Sequence, residues 1–157
     1  MSYIVRTGKK EDSVQVFELI KELAVFEKAP NEVENDLATF TEDVFGKNAV
    51  AEFLVAQHSE GEIVGTSIFF TSYSTWKGRC LYLEDLIVSE QHRGKGLGKK
   101  LLEATARIAA RRGVKRMQWQ VLDWNSAAIE FYKRMGATLA PEWVNCKLEE
   151  DTILQYS

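Results

Sequence analysis

The spacing of apolar residues changes along the chain from a helical period to a strand period and back. Up to position 46, apolar side chains recur every three or four residues, apart from a short apolar run at the start. From position 52 to 88 they alternate with polar residues or form short continuous runs. The predicted order is strand 3–6, helix 11–28, helix 32–46, strands 52–58, 63–74 and 79–88, a helix with Leu97, Leu101, Thr105 and Ile108 on its inner side, strand 116–122, helix 126–136, and a closing strand or hairpin over 142–156.

The lengths of the connections predict the topology. Short turns over 59–62 and 75–78 make the three middle strands antiparallel neighbours. A helical crossover joins strand 79–88 to strand 116–122 and makes that pair parallel. We therefore expect a mixed α/β (α+β) fold. One domain over residues 1–157 would hold a mixed, mostly antiparallel sheet with helices on both faces.

Size and composition narrow the class of protein. A chain of 157 residues with 45% hydrophobic residues suits one domain with one core. It contains no apolar run of about 18 residues that would span a bilayer, and its start lacks the apolar centre of a signal peptide. Cys80 and Cys146 lie far apart in apolar contexts, so we expect both to be reduced and buried or inert. These features predict a cytoplasmic protein without membrane contact.

Charge is unevenly distributed, although the net charge is only −3. Residues 11–62 contain thirteen acidic and three basic residues, and residues 93–116 contain nine basic residues and one acidic residue. One surface should therefore attract cations and another anions, with two merely solvated faces as the alternative. The basic cluster occupies one short segment of an acidic protein, which argues against a nucleic-acid partner.

The basic segment begins with three glycines at alternate positions, in the sequence RGKGLGKK. Glycines in a strand-to-helix turn allow backbone N–H groups and a helix N-terminus to converge on an anion such as phosphate. A dinucleotide-binding G-x-G-x-x-G pattern fails because Lys99 stands at its last glycine. A P-loop fails because Arg93 and Lys100 stand at its first glycine and at its Ser/Thr position. The pattern that remains is Arg93-x-x-Gly96-x-Gly98.

Two adjacent acids, Glu84 and Asp85, lie inside the predicted strand LYLEDLIV. Adjacent strand positions face opposite sides of a sheet, so an interior strand with both acids is unfavourable unless it is bulged or opens into a cleft. The functional interpretation is a cleft that attracts a cation and accepts a proton from it. The structural alternative is a strand end that reaches solvent.

Six segments carry a family resemblance: FEK, YSTWKGR, LYLED, RGKGLG, VLDWN and FYKRMGA, in this order. With them the chain resembles the GNAT superfamily of N-acetyltransferases over essentially its whole length. Within that superfamily it is most similar to the diamine (spermidine/spermine) and thialysine N-acetyltransferases. The resemblance implies a single GNAT-like domain, acetyl-CoA as co-substrate and no metal, and no cluster of metal-ligating residues is visible in the sequence.

The resemblance also implies which residues bind the cofactor. The backbone of one strand would pair with the pantetheine arm as an added strand does. The glycine loop would hold the pyrophosphate, and the start of the predicted helix 126–136 would contact the cofactor. The implied residues are Leu86, Ile87, Val88, Arg93, Gly94, Lys95, Gly96, Leu97, Gly98, Lys99, Asn125, Ala127, Ala128 and Tyr132.

Two residues are implied to be catalytic. Glu84 would attract the amine and help to deprotonate it, because an alkylammonium with a pKa of about 10.4 is not a nucleophile at neutral pH. Tyr132 would protonate the leaving thiolate. Spacing alone favours an ordinary core aromatic for Tyr132. Asn125 has a helix N-cap as its alternative, and a cap and a cofactor contact are compatible. The implied substrate-binding residues are Phe26, Glu27, Glu84, Asp85, Trp124 and Glu142, although the chain is shorter than the family pattern around Glu142.

The expected function is transfer of an acetyl group from acetyl-CoA, by direct attack, to a primary amine of a small cationic substrate. Thialysine, lysine analogues, diamines and polyamines are the candidate substrates. The alternatives are a protein lysine or N-terminal acetyltransferase and a non-catalytic acyl-CoA-binding module. The resemblance also implies a homodimer.

Overall fold

The structure is a computed structural model that describes residues 2–157. The chain forms two compact units, of which the first ends at Gln120 and the second is Val121–Ser157. The first unit contains β1 (Tyr3–Thr7), α1 (Ser13–Phe26), α2 (Leu37–Phe45), β2 (Glu52–His58), β3 (Ile63–Ser74), β4 (Gly78–Val88), α3 (Leu97–Arg112) and β5 (Met117–Gln118). The second contains α4 (Ser126–Arg134) and α5 (Glu150–Leu154).

The sheet of the first unit has five strands in the order β1-β2-β3-β4-β5. The first four are antiparallel to their neighbours, and β4 pairs with β5 in parallel. The predicted mixed, mostly antiparallel sheet is therefore confirmed.

Helices cover both faces of this sheet, as two consecutive residues of β3 with side chains on opposite faces show. Ile68 belongs to the apolar cluster that packs on α1 and α2, together with Val16 and Phe40. The preceding residue, Ser67, points the other way and shares a buried 2.8 Å hydrogen bond with the hydroxyl of Thr105 on α3. One sheet thus separates an α1–α2 layer from an α3 layer.

Two predicted elements differ from the structure. The strand expected over 116–122 is only Met117–Gln118, because β5 pairs with β4 at Leu81 and Tyr82 and ends before β4 changes its register. The closing strand or hairpin expected over 142–156 is wrong. Residues 142–149 lack strand structure. Glu150 and Asp151 form the first turn of the short helix α5, where carboxylates are favoured by the helix dipole.

Smaller differences concern the second helix and the cysteines. The helix expected over 32–46 begins at Leu37, because the side chain of Asp36 caps it by accepting the N–H of Thr39 at 2.7 Å. Val33 lies outside the helix but still packs on the core. Cys80 is buried as expected, whereas Cys146 is exposed, so the expectation of burial fails for Cys146.

Candidate active site

A β-bulge in β4 places the two adjacent acids. Asp85 pairs with Ile68 and Leu83 pairs with Phe69, so Glu84 is the extra residue between two consecutive residues of β3. A bulge breaks the strict alternation of faces and bends the strand. Glu84 is exposed and Asp85 is partly buried. The strand therefore carries both acids by means of a bulge, which is one of the two arrangements expected for such a pair.

Three carboxyl groups and one phenol come together at this bulge. Burial, followed by the charges of Glu84 and Glu27, raises the pKa of Asp85 to about 7. Partial desolvation of its carboxyl raises the pKa of Glu27, which follows the last residue of α1. Burial and the two acids of β4 also raise the pKa of Tyr82. We call Glu27, Glu84 and Asp85 the carboxyl cluster. It can attract a cation and accept a proton near neutral pH.

Next to the carboxyl cluster, the edge of β4 opposite β3 has no strand partner within the described part of the first unit. Of the described residues, β5 pairs with β4 only at Leu81 and Tyr82. Beyond that point β4 continues for six residues with β3 as its strand partner, and its residues Leu86, Ile87 and Val88 pair with β3. An extended chain with amide groups fits such an edge by forming main-chain hydrogen bonds.

The glycine loop follows β4 and leads into α3. Gly94 and Gly96 both have φ of 77°, a left-handed conformation that suits glycine. Gly96 is the N-cap of α3 and provides no side-chain cap, so the N–H groups of the first turn, at Leu97, Gly98 and Lys99, point toward the loop. A cavity of about 440 Å³ beside the loop is lined by Ser2, Tyr3, Lys95 and Lys100. The loop therefore fits a pyrophosphate group.

Arg93, at the start of the loop, contacts the end of α1. Its Nε donates to the carbonyl of Val88 at 3.1 Å, and its guanidinium carbon lies 5.1 Å from the centroid of the Phe26 ring. Phe26 was expected on the substrate side and Arg93 on the cofactor side. The structure brings the two residues together.

The remaining expected site residues lie in the second unit. The Asn125 side chain caps α4 by accepting the N–H of Ala128 at 3.2 Å, which confirms the N-cap interpretation. Tyr132 is partly buried on α4, with its ring centroid 5.3 Å from that of Phe131. Trp124 precedes α4 and is exposed, and Glu142 lies in an exposed turn. Ala127 occupies the first turn of α4 and is exposed.

Sequence reasoning missed two features of the site. Tyr82 faces the charges of Glu84 and Asp85, and its position two residues before Glu84 on the same strand could have indicated it. The contact between Phe26 and Arg93 joins residues 67 positions apart, which no local pattern reveals.

Residues 2–157 contain neither a candidate metal-ion site nor a candidate membrane span. No group of three or more His, Cys, Asp or Glu side chains there is placed to hold a metal ion. In the same part of the chain, no helix combines the length and the apolar character that a membrane crossing requires.

Comparisons with known proteins agree with this geometry. The Acetyltransferase (GNAT) family model matches residues 15–137. Thialysine N-epsilon-acetyltransferase from Bos taurus is 37% identical over 141 residues, which are 85% of this chain and 83% of the relative. The enzyme of the same name from Mus musculus is 34% identical over 159 residues, covering 95% of this chain and 94% of the relative.

Solved structures show the same fold. An integron cassette protein from V. cholerae aligns with a TM-score of 0.81 at 22% identity, over 99% of this chain and 98% of that one. The family expected from the six segments is thus confirmed. The chain belongs to the GNAT acetyltransferase family and is an acetyl-CoA-dependent N-acetyltransferase with a mixed five-stranded sheet.

Proposed function

We propose that this N-acetyltransferase acetylates a primary amine of a small cationic substrate, of the thialysine or lysine-analogue, diamine or polyamine type. The observation that carries the proposal is the carboxyl cluster, in which the charges of Glu84 and Glu27 act on the carboxyl of Asp85 at the bulge of β4. Negative charge at a partly desolvated position favours binding of an alkylammonium. The relatives named for thialysine acetylation support the same substrate class.

The carboxyl cluster also supplies a proton acceptor. The bound amine must lose a proton before it can attack the thioester, since the pKa of an alkylammonium is about 10.4. Glu84 is exposed on the bulge and can approach an incoming amine, directly or through water. Asp85, with its pKa raised to about 7, can take up a proton near neutral pH beside Glu84. We propose direct attack by the deprotonated amine.

The cofactor residues in the first unit form a continuous binding surface in this proposal. Acetyl-CoA supplies the acyl group as a thioester. The open edge of β4 at Leu86, Ile87 and Val88 offers main-chain partners for its amide arm. The glycine loop with Arg93 offers N–H donors and positive charge for its pyrophosphate. Gly94, Lys95, Gly96, Leu97, Gly98 and Lys99 complete this set.

Residues of the second unit take the remaining roles. Tyr132 protonates the departing thiolate, a proposal supported by the resemblance of Phe131-Tyr132-Lys133 to the family. Asn125, Ala127 and Ala128 bind the cofactor at the start of α4. Trp124 forms a wall of the substrate site.

We propose that both units belong to one acetyltransferase domain spanning residues 1–157. The family match over residues 15–137 continues past the boundary after Gln120, which supports one domain. We also propose a cytoplasmic location, since Cys146 is an exposed thiol without a disulfide and would persist best in a reducing compartment.

A homodimer is the proposed assembly. The segment after α4 exposes large apolar side chains: Trp143 is 75% exposed, Val144 82%, Leu148 61% and Tyr156 82%. A cluster of exposed apolar side chains of this kind could be covered by a second copy of this chain. Analytical ultracentrifugation should show a dimer that Val144→Glu dissociates. A wild-type protein that sediments as a monomer at micromolar concentration would contradict the dimer.

The substrate class is tested by thiol release from acetyl-CoA against thialysine, lysine, putrescine, spermidine and a lysine-containing peptide. We expect selective turnover of one of the four small amines. Turnover of the peptide alone would instead indicate a protein lysine acetyltransferase. Binding of acetyl-CoA without any turnover would indicate an acyl-CoA-binding module.

A further inference from the structure

The last turn of α1 contacts the segment that leads into the glycine loop at two points. The guanidinium of Arg93 lies over the ring of Phe26, at 5.1 Å from its centroid. One turn earlier, a carboxylate oxygen of Glu22 accepts the backbone N–H of Glu90 at 3.3 Å. Phe26 ends α1, and Glu90 and Arg93 precede the first glycine of the loop.

Backbone hydrogen bonds at the C-terminal end of α1 fix the turn from which Phe26 extends. The N–H of Lys28 donates to the carbonyl of Val25 at 3.0 Å, and the N–H of Ala29 donates to Ala24 at 2.8 Å. Lys28 takes the left-handed conformation, with φ of 62°, that this type of helix end requires. The ring that Arg93 meets therefore extends from a hydrogen-bonded turn.

Such a contact restricts the guanidinium without consuming its donors. A long arginine side chain in water samples many rotamers, and ordering it for a ligand costs free energy. The face of the ring attracts the cation, and the Nε–H bond to Val88 fixes one side of it at 3.1 Å. A guanidinium lying over a ring still presents N–H groups in its own plane, and these match a phosphate.

We propose that Phe26 is a positioning residue for the cofactor: its ring holds the Arg93 guanidinium in place for the pyrophosphate of acetyl-CoA. This inference rests on the proposed use of the glycine loop as the pyrophosphate site. It assigns Phe26 to cofactor binding, whereas the family resemblance implies a contact with the amine. The two roles predict different kinetic effects, because only the first acts through Arg93.

The test measures binding of coenzyme A by calorimetry to the wild-type protein, Phe26→Leu, Arg93→Gln and the double variant. Phe26→Leu should weaken binding about two- to fivefold, the range expected for a cation–π contact near the surface. In the double variant, Phe26→Leu should add no further loss to that of Arg93→Gln, because the residue it positions is gone. Phe26→Tyr, which keeps the ring, should restore wild-type affinity.

Phe45→Leu is the matched control. Phe45 ends α2 as Phe26 ends α1, the two side chains are 36% and 41% exposed, and the Phe45 ring contacts Phe53 rather than the loop. We expect Phe45→Leu to leave the coenzyme A affinity unchanged. Thermal melts of all variants separate a general loss of stability from the local effect.

The inference is overturned if Phe26→Leu leaves the coenzyme A affinity unchanged, or if its effect is undiminished in the Arg93→Gln background. A rise confined to the KM of the amine would assign Phe26 to the substrate instead. Because the binding measurement requires no amine, an error in the proposed substrate class cannot produce either result. A wild-type protein that does not bind coenzyme A would contradict the proposed cofactor site itself.

Discussion

At the scale of single residues, Asp85 is the most perturbed acid of the site. Its carboxyl is partly buried beside two other carboxyls, and its pKa is raised from an ordinary value of 3.8 to about 7. The sequence located Asp85 and its neighbour Glu84 but could not tell which of them is buried. That difference depends on the bulge, because strict alternation would have placed the two side chains on opposite faces.

The first prediction concerns stability and Asp85. Because the pKa is higher in the folded state, the folded protein binds more protons between about pH 4 and pH 7 than the unfolded chain. The free energy of unfolding should therefore fall as pH rises through this range and then level off. Asp85→Asn should remove most of that fall and be more stable than wild type at pH 8, by roughly 1–3 kcal/mol. Urea titrations at pH 5 and pH 8 measure the difference, and an equally stable variant at pH 8 would contradict it.

The same carboxyl should shape the pH dependence of activity. If Asp85 must be ionised for turnover, wild-type kcat/KM should rise through about pH 7 as its carboxyl loses a proton. Asp85→Asn should flatten this inflection. A profile whose inflection near pH 7 persists in the variant would place the titrating group elsewhere.

The second prediction concerns Tyr132. The coenzyme A thiolate needs only modest assistance to leave, because the pKa of a thiol is about 8.5. Tyr132→Phe should therefore lower kcat by about tenfold to a hundredfold while changing the coenzyme A affinity far less. Unchanged turnover would remove Tyr132 from the proton-donor role and leave it as a packing residue of α4.

At the scale of elements, the glycine loop and the start of α3 form the best-defined part of the candidate site. Glycine spacing and a helical period are local signals, so the sequence predicted the turn and the helix that follows it. The strands β2, β3 and β4 were predicted almost to the residue for the same reason. The segment over 142–156 was not, because its alternating apolar residues do not reveal whether a strand partner is present in the same chain.

The third prediction concerns Gly96, at the N-cap of α3. Its φ of 77° is unfavourable for alanine, although open space surrounds the position of a Cβ atom. Gly96→Ala should lower the free energy of unfolding by about 1–2 kcal/mol and also weaken coenzyme A binding, because the loop N–H groups shift.

Gly113→Ala provides the control for Gly96→Ala. Gly113 ends the same helix with φ of 69° and equally open surroundings. It should lose a similar amount of stability and keep the wild-type coenzyme A affinity. Equal affinities in both variants would mean that the N-terminus of α3 does not bind the cofactor.

At the scale of the whole molecule, the uneven charge distribution matches acetyl-CoA and the proposed cationic amine. Acidic residues are concentrated over 11–62, which includes Glu27 of the carboxyl cluster, and basic residues over 93–116, which includes the glycine loop. The sequence revealed this asymmetry directly. It could not reveal that the end of α1 lies against the loop. That contact joins segments separated in the sequence by β2, β3 and β4, and it forms only when these strands assemble into the sheet.

The fourth prediction follows from this charge distribution. A cationic amine attracted by an acidic surface should bind more weakly as ions screen the attraction. Raising the salt concentration from about 50 mM to about 500 mM should increase the KM of a diamine several-fold, and more than that of a singly charged amine. Equal changes for both amines would exclude electrostatic attraction by the protein as the cause.

The most direct test of the central claim is the kcat/KM for the best small amine of the panel, measured in wild type and in Glu84→Gln. The account predicts a loss of about a hundredfold or more in Glu84→Gln, with the coenzyme A affinity unchanged, because the variant removes the exposed proton acceptor without altering the cofactor site. A Glu84→Gln enzyme with wild-type kcat/KM would contradict the proposal that the carboxyl cluster binds and deprotonates the amine.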